Sequence, residues 1–295
     1  MKKQSISITT DAHIHSYYSD GSRSPKKIVS MAKKAGLKLA VLTDHDTVAG
    51  TDEFLLYANR AGVITVPGIE ITAAYMGIEI HVLGYNINHR ISAIAELLRP
   101  NVEARKERLK KTLALLDDCG LYVSVEEIVE TLKCKSEFPS MLHVFEYFSK
   151  KLCQNFFEIR KSFKRGGIAW VPYDYAKLIT VSEAVRIITK ELGGIAVLAH
   201  PGKILKAASH HEEDFHQNAW HFLYVLMVEL KREGLVGIET FHPMHSIMQQ
   251  ENFSKLAFQL GFINTGGSDF HGKFKKNNKL GVPGVSVPDF LELMD

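Results

Sequence analysis

The chain has 295 residues, 45% of them hydrophobic and 23% charged, enough to bury a real core as one large α/β domain or as two smaller ones. Its 36 Lys and Arg against 33 Asp and Glu leave a net charge of only +3, which implies no strong polyelectrolyte attraction to long nucleic acid or to an anionic membrane. Cys119, Cys134 and Cys153 fall in none of the CxxC spacings that bind zinc or run redox chemistry, and they read as reduced, ordinary residues. The opening MKKQSISITT has no apolar stretch behind its lysines, and the longest apolar run, Phe222 to Val228, is far too short to span a bilayer; a cytoplasmic protein is expected.

From Ile6 to about Asn88, short apolar runs alternate with amphipathic helices, the pattern of βα units and a largely parallel sheet. Ile6 and Ile8 lead a strand into DAHIH. Ser24-Pro25 predicts an N-cap and first-turn proline for a helix lined on one face by Ile28, Met31, Ala32 and Ala35 and stopped by Gly36. LKLAVLT reads as a buried strand, with Asp46 or Thr47 expected to cap a helix running through Ala61. VITVPGIEIT and AYMGIEIHVLGYNI follow as strands of a hairpin turning at Met76-Gly77. After Arg90 the strand runs cease. Helical periodicity takes over: a charged helix from Glu103 to Asp118, a Ser124-x-x-Glu127 capping box opening another, and a third from Met141 to Lys151. Between residues 99 and 165 there are fourteen Lys and Arg against ten Asp and Glu, so the basic excess of the chain sits in this block. Alternation resumes with a Val181 to Leu192 helix, the strand IAVLAH, a helix near Trp220 to Glu233, the strand LVGIETFH, a helix through Lys255 and the strand FINTGGSD.

Nine side chains of metal-ligand type stand almost all where such a strand gives out: His13, His15, Asp20, His45, Glu70, His81, His200, Asp269 and His271. His13 and His15 share one side of an extended segment at period two, so both imidazoles can face one cation. Asp20 sits in the turn sequence SDGS and His45 in LTDHDT, whose Asp44 and Asp46 read as helix caps. Glu70 is a lone carboxylate at a buried strand end, costly unless a cation or hydrogen bonds neutralise it, and it is the natural bridging ligand. His81 lies within IEIHVLGY, and His200 precedes Pro201-Gly202. Two copies of Asp-Phe-His differ in context. Asp214-Phe215-His216 lies in the polar stretch SHHEEDFHQN, whereas Asp269-Phe270-His271 ends a strand behind two glycines that let a site approach the backbone. His210, His211 and His216 therefore read as solvated residues.

In their order D-x-H-x-H, SDG, TDHDT, GIE, a mid-strand histidine, AHPG and SDFH, these motifs resemble the polymerase and histidinol phosphatase (PHP) family of metal-dependent phosphoesterases. The resemblance implies an α/β fold, a distorted (β/α)7 TIM-like barrel built from residues 1–90 and 191–295, with 91–190 as a helical insertion subdomain. It implies three divalent ions, one held by His13, His15, Glu70 and Asp269, one by Glu70, His81 and His200, and one by Asp20, His45 and His271. The insertion resembles that of the subgroup acting on nucleoside 3′,5′-bisphosphates and on short RNA from the 5′ end. That subgroup carries a Gly-Arg-x-His element that holds substrate phosphate, whereas this chain reads SEFPSMLHVFEYF there, with Phe138 or a neighbour in the arginine position and His143 as the candidate replacement contact.

The reaction implied is attack of a metal-bridged hydroxide on a phosphomonoester or phosphodiester of a small nucleotide or short oligonucleotide. A donor set of nitrogen and oxygen without thiolate suits Mn²⁺, Fe²⁺ or Zn²⁺. His242 in TFHP is the candidate general acid, and His245, His143 and Lys203 are candidate substrate contacts, with the basic run Arg160, Lys161, Lys164 and Arg165 as a further phosphate surface. The expected partner is a small phosphorylated substrate, with no membrane and no obligate protein partner. Histidinol phosphate is the rival ester, and a non-catalytic metal-stabilised module the rival role. An amidohydrolase is disfavoured because its bridging lysine is replaced by Glu70.

Overall fold

The structure is a computed structural model that describes residues 10–136, 138–164, 166–210 and 218–294. The expectations placed on Ile6, Ile8, Arg165, His211 and the Asp214-Phe215-His216 motif lie outside the described residues.

Seven strands are described: β1 Thr10–Ile14, β2 Leu39–Leu42, β3 Gly68–Tyr75, β4 Ile78–Tyr85, β5 Ile195–Leu198, β6 Leu235–Phe241 and β7 Ile263–Gly266. Twelve α-helices accompany them: α1 Pro25–Lys34, α2 Thr51–Ala61, α3 Ile94–Leu97, α4 Arg99–Asp118, α5 Val125–Leu132, α6 Met141–Lys151, α7 Phe156–Ser162, α8 Val181–Arg186, α9 Pro201–Ala208, α10 Ala219–Glu233, α11 Ile247–Leu260 and α12 Val287–Leu291. Ser24 caps α1 by accepting the Lys27 amide, as the sequence predicts, and Met76-Gly77 turns the β3–β4 hairpin with φ of 49° and 73°.

The strands form a parallel pair β1-β2 and a five-stranded sheet in the order β3-β4-β5-β6-β7. In the larger sheet β4 runs antiparallel to both β3 and β5, so the sheet is mixed rather than largely parallel. The hairpin turn is too short for the helical crossover a parallel connection needs. Single bridges join the two sheets at both edges, Ile14 to Phe270 and His45 to Glu70.

Alternation along the strands divides the core. Ile69, Ile71, Ile80, Val82, Ala196 and Leu198 pack outward against α8, α9, α10 and α11, while Ala40 and Leu42 pack against α1 and α2. The opposite faces bring Ala12, Leu39, Val41, Leu83, Tyr85 and Val197 from both sheets into one apolar floor. Helices α4 to α7 share a core of their own, including Leu109, Leu116, Ile128, Phe145 and Phe148.

Several local expectations differ. Helix α2 starts at Thr51 behind Gly50, with no side-chain cap, because Asp44 and Asp46 are spent on distant partners. Asp44 accepts from the amide and hydroxyl of Ser16 and from Ser19, and Asp46 accepts from the Thr72 amide, Asn101 and Arg105. The Val181 to Leu192 helix is α-helical only to Arg186 and continues as a π-helical turn over Ile187–Glu191. All three cysteines are free, and among the described residues no helix is long and apolar enough to cross a membrane.

Candidate metal centre

The nine sequence-predicted ligands converge above the apolar floor. Glu70, on the inward face of β3 between the outward Ile69 and Ile71, is the hub. Five imidazoles face its carboxylate: His13 and His15 at 3.1 Å, His45 at 3.3 Å, His81 at 2.9 Å and His200 at 3.0 Å. A second focus forms where His271 Nε2 lies 3.1 Å and His15 Nδ1 3.5 Å from Asp20, with His45 Nε2 at 3.9 Å. Asp269 stands between the two, 3.4 Å from His15 Nε2 and 3.7 Å from His13 Nε2.

Donor atoms that lie close enough to share an ion fall into four overlapping groups: His15, Asp20, His45 and His271; His13, Glu70 and His200; His13, His15 and Asp269; and His45, Glu70 and His81. The first reproduces the expected Asp20 set with His15 added, and the others distribute Glu70 and its imidazoles differently from the expected sets.

The backbone is bent to reach this arrangement. His200 and Asp269 adopt φ of 28° and 50°, positive values that non-glycine residues rarely hold without compensation. Gly267 is required at the end of β7, because a Cβ there would lie 2.3 Å from the Cβ of His13. This close approach is what the paired glycines before SDFH supply.

Outer hydrogen bonds settle which nitrogen each imidazole turns inward. His13 Nδ1 donates to Glu239 at 2.8 Å, His81 Nε2 to Glu79 at 2.9 Å, and His271 Nδ1 to the Asp269 carbonyl at 2.8 Å. Each turns its other nitrogen towards a carboxylate; against burial, Glu239 and Glu70 hold His13 well above the ordinary imidazole range, and Glu70 and Glu79 hold His81 at about 9, so a bound cation would replace a proton at each of these two.

The electrostatics describe a cluster that demands positive charge at its centre. Burial opposes ionisation of Glu70, but His45, His13 and His81 outweigh it and hold the carboxyl well below its usual range; Asp269 is held down in the same way, against burial, by Lys203, Lys275 and His271. Burial, with Lys203 beside it, keeps His200 well below its usual range, and burial brings His271 down to about 4, so both stay neutral. His15 Nδ1 and Nε2, His45 Nδ1, His200 Nδ1 and His271 Nε2 are buried without a properly directed hydrogen bond. Unsatisfied buried imidazole nitrogens, two shared carboxylates and a thiolate-free donor set fit divalent cations.

The remaining predicted residues divide. Lys203 reaches Asp269 at 3.3 Å from a partly exposed position. His242 is fully buried; its Nδ1 accepts the Met244 amide, so its proton sits on Nε2, directed at Asp269 from 3.2 Å. His245 spends both ring nitrogens on backbone, Nδ1 on the Thr240 carbonyl and Nε2 on the Gly202 amide. His143 is buried at the start of α6, where its Nδ1 accepts the Ser140 amide. Arg160, Lys161 and Lys164 belong to α7 and the turn after it, and none of them lines the cavities beside the cluster.

Sequence reasoning missed Glu239, whose second oxygen accepts the His200 amide at 2.8 Å, and Lys275, 2.8 Å from Asp269. It also missed Arg105 and Arg108 of α4, which line a cleft of about 160 Å³ with Asp20, His45 and His81. Glu239 had a signal, a carboxylate inside an apolar strand, the argument already applied to Glu70. Lys275, in the charged run FKKNNK, had none.

Comparison with known proteins places the chain in a family. The PHP domain family model matches residues 11–234. Among curated proteins, the chain is 32% identical over 271 residues to the phosphoribosyl 1,2-cyclic phosphate 1,2-diphosphodiesterase of Eggerthella lenta, covering 90% of this chain and 94% of that one. It is 27% identical to the 3′,5′-nucleoside bisphosphate phosphatase of Chromobacterium violaceum, covering 96% and 95%. A solved structure from Bifidobacterium adolescentis, described as a metal-dependent phosphoesterase, superposes with a TM-score of 0.81 over 97% of this chain and 95% of that one; at 24% identity it speaks for the fold alone. The chain belongs to the PHP domain family, and it is a metal-dependent hydrolase of phosphate esters.

Proposed function

We propose that the chain hydrolyses a phosphate ester of a small nucleotide or short oligonucleotide at a centre of three divalent cations, Mn²⁺, Fe²⁺ or Zn²⁺, held by the nine converging side chains. The observation that carries this reading is the Glu70 carboxylate, faced by five imidazoles at 3.3 Å or less. Bound there, the cations supply Lewis acidity, polarising the phosphate and lowering the pKa of water towards neutrality.

The chain's own groups orient and neutralise. Lys203 and Lys275 reach Asp269 from partly exposed positions and can extend to phosphate oxygens as charge develops. Arg105 and Arg108 stand in for the arginine that the insertion motif lacks. Because the His242 proton is committed to Asp269, we assign it to holding that carboxylate rather than to protonating the leaving alkoxide. His245 ties the end of β6 to the start of α9, and His143 supports the loop before α6; neither offers substrate a free polar atom on this reading. We take the two sheets to act as one distorted (β/α)7 barrel contributed by residues 1–90 and 191–295, with 91–190 as an insertion subdomain over the cleft.

A second substrate, a cyclic sugar-phosphate diester, is favoured by the 32% identity to the Eggerthella diphosphodiesterase. A product panel in Mn²⁺, read by chromatography, separates the two, using adenosine 3′,5′-bisphosphate, 5′-phosphorylated oligonucleotides, histidinol phosphate and phosphoribosyl 1,2-cyclic phosphate. The nucleotide is expected to lead, and His45→Ala to lower its turnover by about a thousandfold. Metal-replete protein that releases nothing from any of them contradicts the proposal.

A further inference from the structure

Next to the metal cluster, and sharing His45 and Arg105 with its cleft, lies a second cavity of about 530 Å³. Its size is that of a small-molecule site, which typically spans about 300–1,000 Å³. Its walls are not what a bare sugar phosphate requires. Val48, Ile94, Leu98 and Val102 give it an aliphatic side, and Phe138 gives it an aromatic one. The Phe138 ring is held in place by Lys106, whose ammonium sits 4.1 Å from the ring centroid.

The charges at the rim differ in sign from those of the metal centre. Among the described residues, Arg99, Arg105, Lys106 and Lys135 line the cavity with two carboxylates, Asp46 and Glu103. Both carboxylates are already engaged, Asp46 by Arg105 and Glu103 by Lys106 at 2.8 Å. Lys135 has no carboxylate partner among the described residues. An apolar and aromatic wall beside a rim of lysine and arginine suits a ligand with a flat π-face and an anionic group.

We infer that this cavity holds the nucleoside part of the substrate, with the base against Phe138 and a second phosphate, remote from the scissile one, near Lys135. The inference rests on the nucleotide reading above and narrows it: the chain selects base-bearing phosphates over base-free sugar phosphates by offering the base an aromatic platform. Base-on-aromatic contact is tolerant of base identity, so purine and pyrimidine nucleotides are both accepted.

The test is calorimetric titration of the full chain in Mn²⁺ with AMP and with ribose 5-phosphate, which differ in the base. Wild type is expected to bind AMP at least tenfold more tightly. Phe138→Ala should abolish that margin while the thermal midpoint stays within two degrees, Phe138 being in an irregular segment; Val102→Trp, which fills the cavity from α4, should abolish it as well. Equal affinities in wild type, or a margin that survives in both variants, overturns the inference. The titration reads binding and not turnover, so a protein inactive on every ester would contradict the proposed function without altering this result.

Discussion

Glu239 reaches His13 with one oxygen and the His200 amide with the other, each at 2.8 Å, so one buried carboxylate fixes an imidazole from β1 and the loop after β5 together. Removing its charge while keeping its shape isolates that role. Glu239→Gln is expected to weaken metal binding by about 10–100-fold in chelator competition, the usual cost of losing an outer hydrogen-bond partner, although no ligand is lost. His143 offers a separate test of burial. Burial holds its pKa down at about 4, below the ordinary 6.5, so between these values the unfolded chain binds a proton that the folded one does not. That contribution to stability is complete above pH 6.5, declines as pH falls and is gone below 4, a span worth about 3 kcal/mol. In urea unfolding, His143→Gln should flatten the loss of stability over this window; parallel curves for variant and wild type would refute the assignment.

Elements read correctly from the sequence were those specified by neighbours. The Ser24 cap, the Met76-Gly77 turn and the Met141 to Lys151 helix depend on contacts within a few residues, and all three stand as expected. That the nine side chains converge was legible for a related reason: most of them stand where an apolar run stops, and a costly group there is visible without knowing its partner. Asp46 was misread because its partners, Thr72, Asn101 and Arg105, are distant in sequence, and no local pattern announces a clamp between the loop after β2 and helix α4. The mixed sheet and the π-helical turn were missed likewise, as products of packing rather than propensity. At this scale the sharpest prediction concerns β7. Gly267→Ala would press a methyl group onto His13, which β1 cannot yield without moving the cluster. It should cost about 2–3 kcal/mol in denaturant unfolding and lower metal occupancy in step, whereas an unchanged midpoint would mean that the two strands are less closely apposed than described.

For the whole molecule, the apolar floor, the outer helices and the cation-seeking cluster form one cooperative object. Glu70, which lies inside β3 rather than at the strand end the sequence suggests, and the loops that carry His200 and Asp269 are held by packing below and by charge above. Withdrawing the metal should therefore lower the thermal midpoint by several degrees, since a ligand at a hundred times its dissociation constant stabilises the folded state by about 2.7 kcal/mol. The central claim, that remote segments meet around shared cations with Glu70 at the hub, is tested most directly by metal content. Wild type and Glu70→Gln would be saturated with Mn²⁺, desalted and assayed by elemental analysis. Wild type is expected to retain bound metal and the variant less than about a tenth of it, five imidazoles having lost their common counter-charge. Equal retention in the two proteins, or none in wild type, would contradict the account.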